Sequence, residues 1–310
     1  MKEKKEAPKR TLQQYLILTI KGACMGAIDL VPGVSGGTVA FVTGIYQELV
    51  DTIKSINFTL FVLLFKGKFS TFWKQLNGSF LLPLACGILT SIFCFAKLIK
   101  YLIDTYPIPV WSLFSALVVA SAIYVLKSVK KWSVWSVIFL IAGVVSAFFI
   151  CRATPTETPN DYWFIFLIGV ITICVWLLPG VSGSFVLILT AKYPFMLNAV
   201  STFQWDVLLA FIAGAFIGII SFSHLLSWLL KNYYRPMVCL LAGFMFGSIE
   251  RLWPWKEAFS ETAYRNLWPS QYAANIGLPP QTFIAILFIL MGFILVFGIE
   301  FLAKRMQQDK

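Results

Sequence analysis

The sequence predicts an all-α integral membrane protein with an inverted-topology repeat, in which each half is a re-entrant helical hairpin plus three transmembrane helices. Three observations support this fold class. Hydrophobic residues make up 59% of the 310 residues and charged residues 13%, whereas a soluble domain carries roughly 25% charged residues. The apolar residues fall into long runs. One motif also occurs twice, as Val31–Gly37 (VPGVSGG) and Leu178–Ser184 (LPGVSGS).

The first repeat is expected over residues 11–152. It opens with a broken apolar segment, Leu12–Ile56, whose break is a hairpin tip at residues 32–37. Proline and clustered glycine are costly inside a helix, and a membrane tolerates irregular backbone only where it is buried in protein or lines a cavity. The break therefore predicts a re-entrant hairpin at a binding site. Three uninterrupted apolar runs then predict transmembrane helices: Phe80–Leu102, Val110–Leu126 and Val134–Ile150.

The second repeat, residues 161–305, follows the same plan. Its broken segment is Tyr162–Val200, with a tip at residues 179–184. Its three apolar runs are Val207–Leu230, Met237–Ile249 and Phe283–Leu302. Because three full spans carry the chain across the membrane, the second half starts on the opposite face and is inverted relative to the first. We therefore expect one membrane domain with two hairpins that enter from opposite faces.

The distribution of lysine and arginine predicts the orientation. The N-terminal tail, residues 1–10, and the segments that join the spans on the same side carry most of the 25 basic residues. Positively charged loops are retained in the cytoplasm, so both termini of this multi-pass protein are expected there. The net charge of +11 then serves to orient the chain, and this placement argues against a nucleic-acid partner.

The residue inventory argues against catalysis by a metal or a hydrolytic triad. Gly33–Gly37 formally satisfies the G-x-S-x-G pattern of serine hydrolases, but the second copy ends in Ser184 and the chain has one histidine, His224. The six cysteines lie mostly in apolar runs, without C-x-x-C spacing or a histidine cluster. We expect no catalytic residue, no metal and no cofactor. A membrane-embedded lipid hydrolase is the less favoured alternative.

The repeated motif predicts an anion-binding site. Each copy should open a helix whose unpaired backbone N–H groups attract negative charge, and its glycines let a ligand approach closely. A phosphate held between the two copies fits this chemistry, although glycines alone are also typical of packing notches between membrane helices. Ser35 or Thr38 is the expected cap of the first of these helices. The expected phosphate-binding residues are Gly33, Val34, Ser35, Gly36, Gly37, Thr38, Gly180, Val181, Ser182, Gly183 and Ser184.

Three ionisable residues of the first hairpin add to this site. Lys21 is expected to contact the phosphate, and Asp29 or Glu48 to bind a coupling proton or cation. The structural alternative is that Lys21 and Asp29 neutralise each other and that Glu48 only reaches the membrane interface. Coupling to an ion gradient therefore stays open.

Three more ionisable residues are candidates for an accessory role. Lys97 and His224 occupy equivalent positions in the two repeats, although Lys97 alternatively extends to the interface and a lone histidine is often a packing residue. Arg251 lies at the expected outer boundary of the membrane, where an anionic lipid headgroup first arrives. An ion pair with Glu250 is the structural alternative for Arg251.

Several separated motifs together span most of the chain: Lys21–Gly22, Asp29–Thr38, Gly44–Tyr46, Leu178–Ser184, Gly247–Ser248 and Trp253–Lys256. This set resembles the signature of the PopT family of bacterial polyprenyl-phosphate transporters, long catalogued as a domain of unknown function. The resemblance implies translocation of undecaprenyl phosphate from the outer to the inner leaflet of the bacterial cytoplasmic membrane, which recycles this carrier lipid for peptidoglycan synthesis. The sequence departs from the pattern at Ala191, where glycine is usual, and at Pro194–Phe195, where Glu48 has no acidic counterpart.

The expected partners are undecaprenyl phosphate or a related polyprenyl phosphate and the surrounding membrane lipids, and a homo-oligomer is left open. The prenyl tail is expected to stay in the bilayer while the phosphate crosses, with one half rocking against the other. A transporter or channel for a small soluble anion is the main alternative, because it would use the same backbone donors.

Overall fold

Helices dominate the structure, a computed structural model that describes residues 10–29, 35–56, 58–180, 182–259 and 264–308. Most of the expected cytoplasmic tail, residues 1–9, lies outside the described residues. In chain order the helices are α1 (Leu12–Asp29), α2 (Gly36–Val42), α3 (Tyr46–Lys54), α4 (Phe58–Phe65), α5 (Phe69–Gln75), α6 (Gly78–Thr105), α7 (Pro107–Lys127), α8 (Val134–Arg152), α9 (Tyr162–Leu177), α10 (Gly183–Leu189), α11 (Tyr193–Ser201), α12 (Trp205–Asn232), α13 (Tyr234–Gly247), α14 (Ile249–Leu252), α15 (Pro269–Ile276) and α16 (Thr282–Gln308).

The long helices make this an all-α, multi-pass membrane protein. Among the described residues, α6, α7, α8 and α12 are each long and apolar enough to cross a membrane. The bent pair of α10 and α11, with 107° between its helices, brings the number of candidate spans to five if it is one broken span. The helices α9 and α16 contribute shorter apolar stretches, Tyr162–Leu177 and Thr282–Gly298.

The uninterrupted apolar runs agree closely with helices. The run Phe80–Leu102 lies within α6, and the run Val134–Ile150 lies within α8. Local signals set the helix ends: Pro107 begins α7, where its missing N–H costs nothing, and the Ser133 hydroxyl accepts a hydrogen bond from the Ser136 N–H to cap α8. The starts of α7 and α8 are therefore encoded locally.

Each broken segment is interrupted twice, whereas the sequence predicted one break. The first segment forms α1, α2 and α3, and the second forms α9, α10 and α11. The additional breaks lie at Gly44, with φ +75°, and at Ala191, with φ +53°. Both residues adopt the left-handed conformation, which glycine tolerates and alanine does not favour. The departure at Ala191 thus falls where the backbone would favour glycine.

Close helix pairs organise the bundle. The pairs are α1 with α6, α9 with α12, α8 with α13, and α7 with α16. In the first pair a Cβ added at Gly87 would lie 2.0 Å from the Thr19 carbonyl oxygen, and in the second a Cβ added at Gly214 would lie 2.0 Å from the Phe166 carbonyl oxygen. Glycine is therefore required where these backbones touch, as is typical of membrane helices.

A small β-hairpin was not anticipated. Strands β1 (Lys256–Ala258) and β2 (Tyr264–Asn266) pair antiparallel, with Lys256 opposite Asn266. The short helices α4, α5, α14 and α15 were likewise not expected from the sequence. These helices are four to eight residues long, shorter than the apolar runs that predict the spans.

The first broken segment lies at the centre of the molecule. Its residues Val39, Ala40 and Leu49 share one buried cluster with Leu226 of α12 and Leu241 of α13. Helix α3 also packs directly against α12. The part of the chain that carries the first copy of the motif thus packs against helices of both halves.

Candidate functional site

The two copies of the motif are in contact. The Gly180 N–H donates to the Thr38 hydroxyl at 3.1 Å, and the Ser35 hydroxyl donates to the Trp176 carbonyl oxygen at 3.3 Å. The Tyr46 hydroxyl, buried in α3, donates to the Leu177 carbonyl oxygen at 2.7 Å. These three bonds hold α2 and the start of α3 against the end of α9 and the turn that follows it. The region between the two motifs is therefore the candidate site.

In the first copy, the chain itself occupies the backbone donors. Ser35 caps α2, since its hydroxyl accepts from the Gly37 N–H at 3.1 Å. The Asp29 carboxylate accepts from the Gly36 N–H at 2.6 Å, and the Ser35 carbonyl accepts from the Thr38 N–H at 2.9 Å. The expected anion site and the structure differ here, because these backbone N–H groups are already hydrogen-bonded and one of them binds a carboxylate. Gly33 and Val34, together with Pro32 of the expected tip 32–37, lie outside the described residues.

The second copy is more accessible. Ser182 precedes α10 in an extended conformation but does not cap it; instead its hydroxyl is 2.7 Å from the Ser184 hydroxyl. Ser182 and Gly183 are buried, whereas Ser184 is exposed. Gly180 has φ +92°, and a Cβ there would lie 2.9 Å from the Met245 Cα, so this turn is fixed against α13. Val181 lies outside the described residues.

Lys21 does not lie beside the motif donors. Its ammonium group donates to the Thr43 carbonyl oxygen at 2.8 Å, at the C-terminal end of α2. At 1.5 Å per residue, this end is about 10 Å from Gly36. A cation at a helix C-terminus is favourable for the helix dipole. Lys21 and Asp29 therefore stabilise opposite ends of α2, and neither the direct phosphate contact nor the mutual neutralisation is seen.

Glu48 belongs to a separate polar cluster. Its carboxylate accepts hydrogen bonds from the Arg10 guanidinium and, at 2.9 Å, from the Asn77 amide. Arg10 also donates to the Ser79 hydroxyl at 3.1 Å. These contacts join the start of the described chain to α3 and α6, so Glu48 has a structural partner outside the candidate site.

Lys97 and His224 lie on exposed helix surfaces, on α6 and α12. His224 Nδ1 is 2.8 Å from the carbonyl oxygen of Ile220, one turn earlier in the same helix. Neither side chain reaches the two motifs. Their equivalence in the repeats therefore reflects their place on matching helices.

Arg251 lies close to the second motif. Its guanidinium carbon is 5.2 Å from the ring centroid of Phe185, the residue after Ser184, and 4.8 Å from that of Tyr264. The alternative ion pair with Glu250 is not the one that forms, because Glu250 pairs with Arg152 at 3.0 Å. Of the charged residues selected from the sequence, Asp29 and Arg251 are the two that border the motifs.

Comparison with known proteins identifies the family of this chain. A family model described as VCA0040-like, undecaprenyl phosphate translocase-like, matches residues 25–266. The chain belongs to this family. It is 40% identical over 301 residues to a polyprenyl-phosphate transporter of Vibrio cholerae serotype O1, covering 94% of this chain and 98% of the relative. It is 30% identical over 263 residues to a polyprenyl-phosphate transporter of Staphylococcus aureus, covering 78% of this chain and 88% of the relative. No solved structure matches.

The family match includes Lys256, to which the sequence analysis gave no role. The Lys256 ammonium group donates to the Arg251 carbonyl oxygen and lies 4.1 Å from the centroid of Trp111 and 5.2 Å from that of Tyr264. Burial and then the neighbouring Arg251 lower the pKa of Lys256 to about 7, against the opposing effects of Cys151 and Glu250. The motif Trp253–Lys256 was the signal that could have identified this lysine.

A second missed group connects the two halves of the chain. Asp51 of α3 accepts from the Ser227 hydroxyl at 2.7 Å and from the Lys231 ammonium group at 2.9 Å, both on α12. No local pattern pairs residues so far apart in the sequence. Across the described ranges, no three histidine, cysteine, aspartate or glutamate side chains converge to hold a metal ion.

An aromatic cavity of about 480 Å³ borders Glu250 on the same end of the bundle as the β-hairpin. Most of its lining is apolar, and the polar exceptions are Glu250 and Asn266. The apolar lining consists of Phe148, Phe246, Ile249, Trp253, Leu267 and Trp268. Apolar surface thus lies next to the cationic residues of α14 and β1.

Proposed function

We propose that the protein is a lipid flippase without covalent chemistry, which moves undecaprenyl phosphate from the outer to the inner leaflet for reuse in peptidoglycan synthesis. Membership of the family and the names of the two relatives support polyprenyl phosphate as the substrate. The observation that carries the proposal is the contact between the two motifs, Gly180 N–H to Thr38 hydroxyl at 3.1 Å. Two glycine-rich turns that meet inside a membrane protein form a donor-rich site for a phosphate.

The phosphate is received first by the more accessible second motif. Ser182, Gly183 and Ser184 supply hydroxyl and backbone donors there, and Arg251 supplies charge. The proposed site also includes Gly180 and Val181. The prenyl tail stays in the bilayer, since withdrawing it from lipid would cost about 0.8 kcal/mol for every CH₂.

The first motif then takes the phosphate in exchange for its own carboxylate. Asp29 holds the Gly36 N–H at 2.6 Å, so a phosphate that reaches Gly33–Thr38 must replace it. Protonation of Asp29, or its pairing with a cation, makes this exchange easier because it removes a competing negative charge. This step is where an ion gradient would couple to transport.

The proposed architecture is an inverted repeat of residues 11–152 and 161–305, with re-entrant tips at 32–37 and 179–184 and both termini in the cytoplasm. Matching packing supports it. A Cβ at Gly22 would lie 2.2 Å from the Leu84 carbonyl oxygen, and a Cβ at Gly169 would lie 2.3 Å from the Phe211 carbonyl oxygen. Lys21, Glu48, Lys97 and His224 then have structural or interfacial roles.

The test is leaflet transfer of a labelled polyprenyl phosphate in proteoliposomes. Ser184→Trp fills the exposed side of the second motif, and Ser201→Trp is the matched control, because Ser201 is also exposed but lies at the end of α11. We expect Ser184→Trp to abolish transfer and Ser201→Trp to retain it. Transfer that survives Ser184→Trp contradicts the site. Flux of inorganic phosphate without transfer of the lipid identifies a small-anion transporter instead.

A further inference from the structure

The aromatic cavity of about 480 Å³ lies between the ends of α8 and α13 and the short helix α14. Helices α8 and α13 touch at Gly247, where a Cβ would lie 2.4 Å from the Val144 carbonyl oxygen. Helix α13 ends at this contact, while α8 continues to Arg152. Phe148 of α8 and Phe246 of α13 line the space beside it. The volume falls within the range of about 300–1,000 Å³ that is typical of ligand sites.

The aromatic walls of the cavity support one another. The ring centroids of Trp253 and Trp268 are 5.9 Å apart, with an angle of 86° between the ring planes, which is the favourable edge-to-face arrangement. The Trp253 indole N–H donates to the Leu267 carbonyl oxygen at 2.8 Å, so the polar atom of this ring is already paired. Trp268 is exposed. The cavity is therefore preformed, and it opens at the molecular surface.

The polar groups of the lining indicate which part of a lipid the cavity fits. The Glu250 carboxylate is bound to Arg152 at 3.0 Å, and the Asn266 amide nitrogen donates to the Glu250 carbonyl oxygen at 2.8 Å. The Asn266 amide oxygen has no partner in the described ranges, but it is buried and does not face the open space. Because the ion pair has no net charge, it offers a phosphate no attraction, whereas an uncharged hydrocarbon chain meets a mostly apolar lining. The cavity thus suits the tail of a lipid and not its phosphate.

The cavity adjoins the second motif. A Cβ at Gly180 would lie 2.9 Å from the Met245 Cα, and Met245 directly precedes Phe246 of the lining. Since consecutive Cα atoms are about 3.8 Å apart, one step along α13 separates the glycine-rich turn from the aromatic cavity. A phosphate held at this turn has the first part of its tail within reach of the cavity.

We propose that the cavity binds the isoprenoid units next to the phosphate of a polyprenyl phosphate and so selects this lipid over lipids with acyl chains. An isoprenoid chain has a methyl branch and a double bond in every unit. It is wider and stiffer than an acyl chain, so it fills a preformed cavity with less loss of conformational freedom. The proposal rests on the function proposed above, because the second motif must hold the phosphate. The rest of the tail stays in the bilayer.

Equilibrium binding to the full-length protein in nanodiscs tests the site. The probes are inorganic phosphate, farnesyl phosphate and dodecyl phosphate, and the last two have main chains of equal length with and without methyl branches. Ile249→Trp fills the cavity, and Trp268→Ala removes one wall. The matched controls are Ile212→Trp and Trp205→Ala, because both residues are exposed on α12. Thermal unfolding of each variant monitors folding.

We expect the unmodified protein to bind farnesyl phosphate about fivefold more tightly than dodecyl phosphate, as an aromatic contact predicts. Ile249→Trp and Trp268→Ala should each reduce this preference to within about twofold by weakening farnesyl phosphate binding, while the two controls retain it. Inorganic phosphate affinity should be the same in every variant. A preference that is absent from the unmodified protein, or that persists in a folded Ile249→Trp variant, overturns the site. Equal weakening of dodecyl phosphate overturns the selection of isoprenoids and assigns the cavity to hydrocarbon chains in general.

Leaflet transfer separates this site from the proposed function. Ile249→Trp should still transfer farnesyl phosphate, because both motifs are intact, but it should no longer transfer it at lower concentrations than dodecyl phosphate. Binding that selects the isoprenoid chain in a protein that transfers no lipid overturns the proposed function and keeps the cavity site. Transfer by the unmodified protein that does not distinguish the two chains overturns the cavity site and keeps the function.

Discussion

Replacement of Asp29 by asparagine tests the idea that a phosphate must displace a resident carboxylate. The carboxylate accepts from the Gly36 N–H at 2.6 Å. An asparagine keeps the shape and a carbonyl acceptor but removes the charge. A hydrogen bond to a charged group is worth about 1.5–3 kcal/mol and a neutral one about 0.5–1.5 kcal/mol, so the competing contact weakens by about 1 kcal/mol.

That difference predicts farnesyl phosphate binding about fivefold tighter in Asp29→Asn, because 1.4 kcal/mol corresponds to about tenfold. The same loss should lower the free energy of unfolding by about 1 kcal/mol, since α2 loses a charged group at its N-terminus. Binding in nanodiscs and thermal unfolding measure the two effects. Asp104→Asn, at an exposed position near the end of α6, is the control. Unchanged or weaker binding in a folded Asp29→Asn protein refutes the exchange of carboxylate for phosphate.

Three further predictions concern stability and pH. Ala191→Gly should raise the free energy of unfolding by about 1 kcal/mol, because Ala191 has φ +53°, a left-handed conformation that strains alanine but not glycine. A lower melting temperature of the variant contradicts this backbone strain. Gly87→Ala should destabilise the protein by about 1–3 kcal/mol, because its Cβ would lie 2.0 Å from the Thr19 carbonyl oxygen. Gly298→Ala is the control and should be neutral, because there is open space around Gly298. Equal melting temperatures of the two variants argue against the backbone contact at Gly87. Since burial lowers the pKa of Lys256 to about 7 from its usual 10.5, the free energy of unfolding should rise between pH 7 and pH 10.5. In that range the unfolded chain holds a proton that the folded chain has released. Arg251, Glu250, Cys151 and Tyr264 also act on this group, so Lys256→Met should remove this trend, and its persistence assigns it to another residue.

The long helices could be predicted because their signals are local. A run such as Val134–Ile150 is apolar for the length of a bilayer, and a capping serine precedes it. The duplicated motif likewise indicated that its two copies would face each other, since glycine-rich breaks inside a membrane need a protein environment. These predictions required only periodicity, length and composition.

The partners of charged side chains could not be predicted in this way. Lys21 binds the Thr43 carbonyl oxygen, and Asp29 binds the Gly36 N–H, because α2 folds back along α1 and ends at the second break. The sequence signal for that break at Gly44 was a single glycine. Lys256 was missed for a similar reason: its neighbours come from α7, α14 and β2, which only the tertiary fold brings together.

The glycine contacts between helices have a mechanical consequence. Where Gly87 faces Thr19 and Gly214 faces Phe166, no side chain separates the two backbones, so one helix cannot slide along the other without lifting away from it. Helices α1 and α6 therefore move together as one rigid unit, and α9 and α12 as another. Relative displacement is left to seams filled by longer side chains, such as that between α3 and α12, where Asp51 meets Ser227 and Lys231.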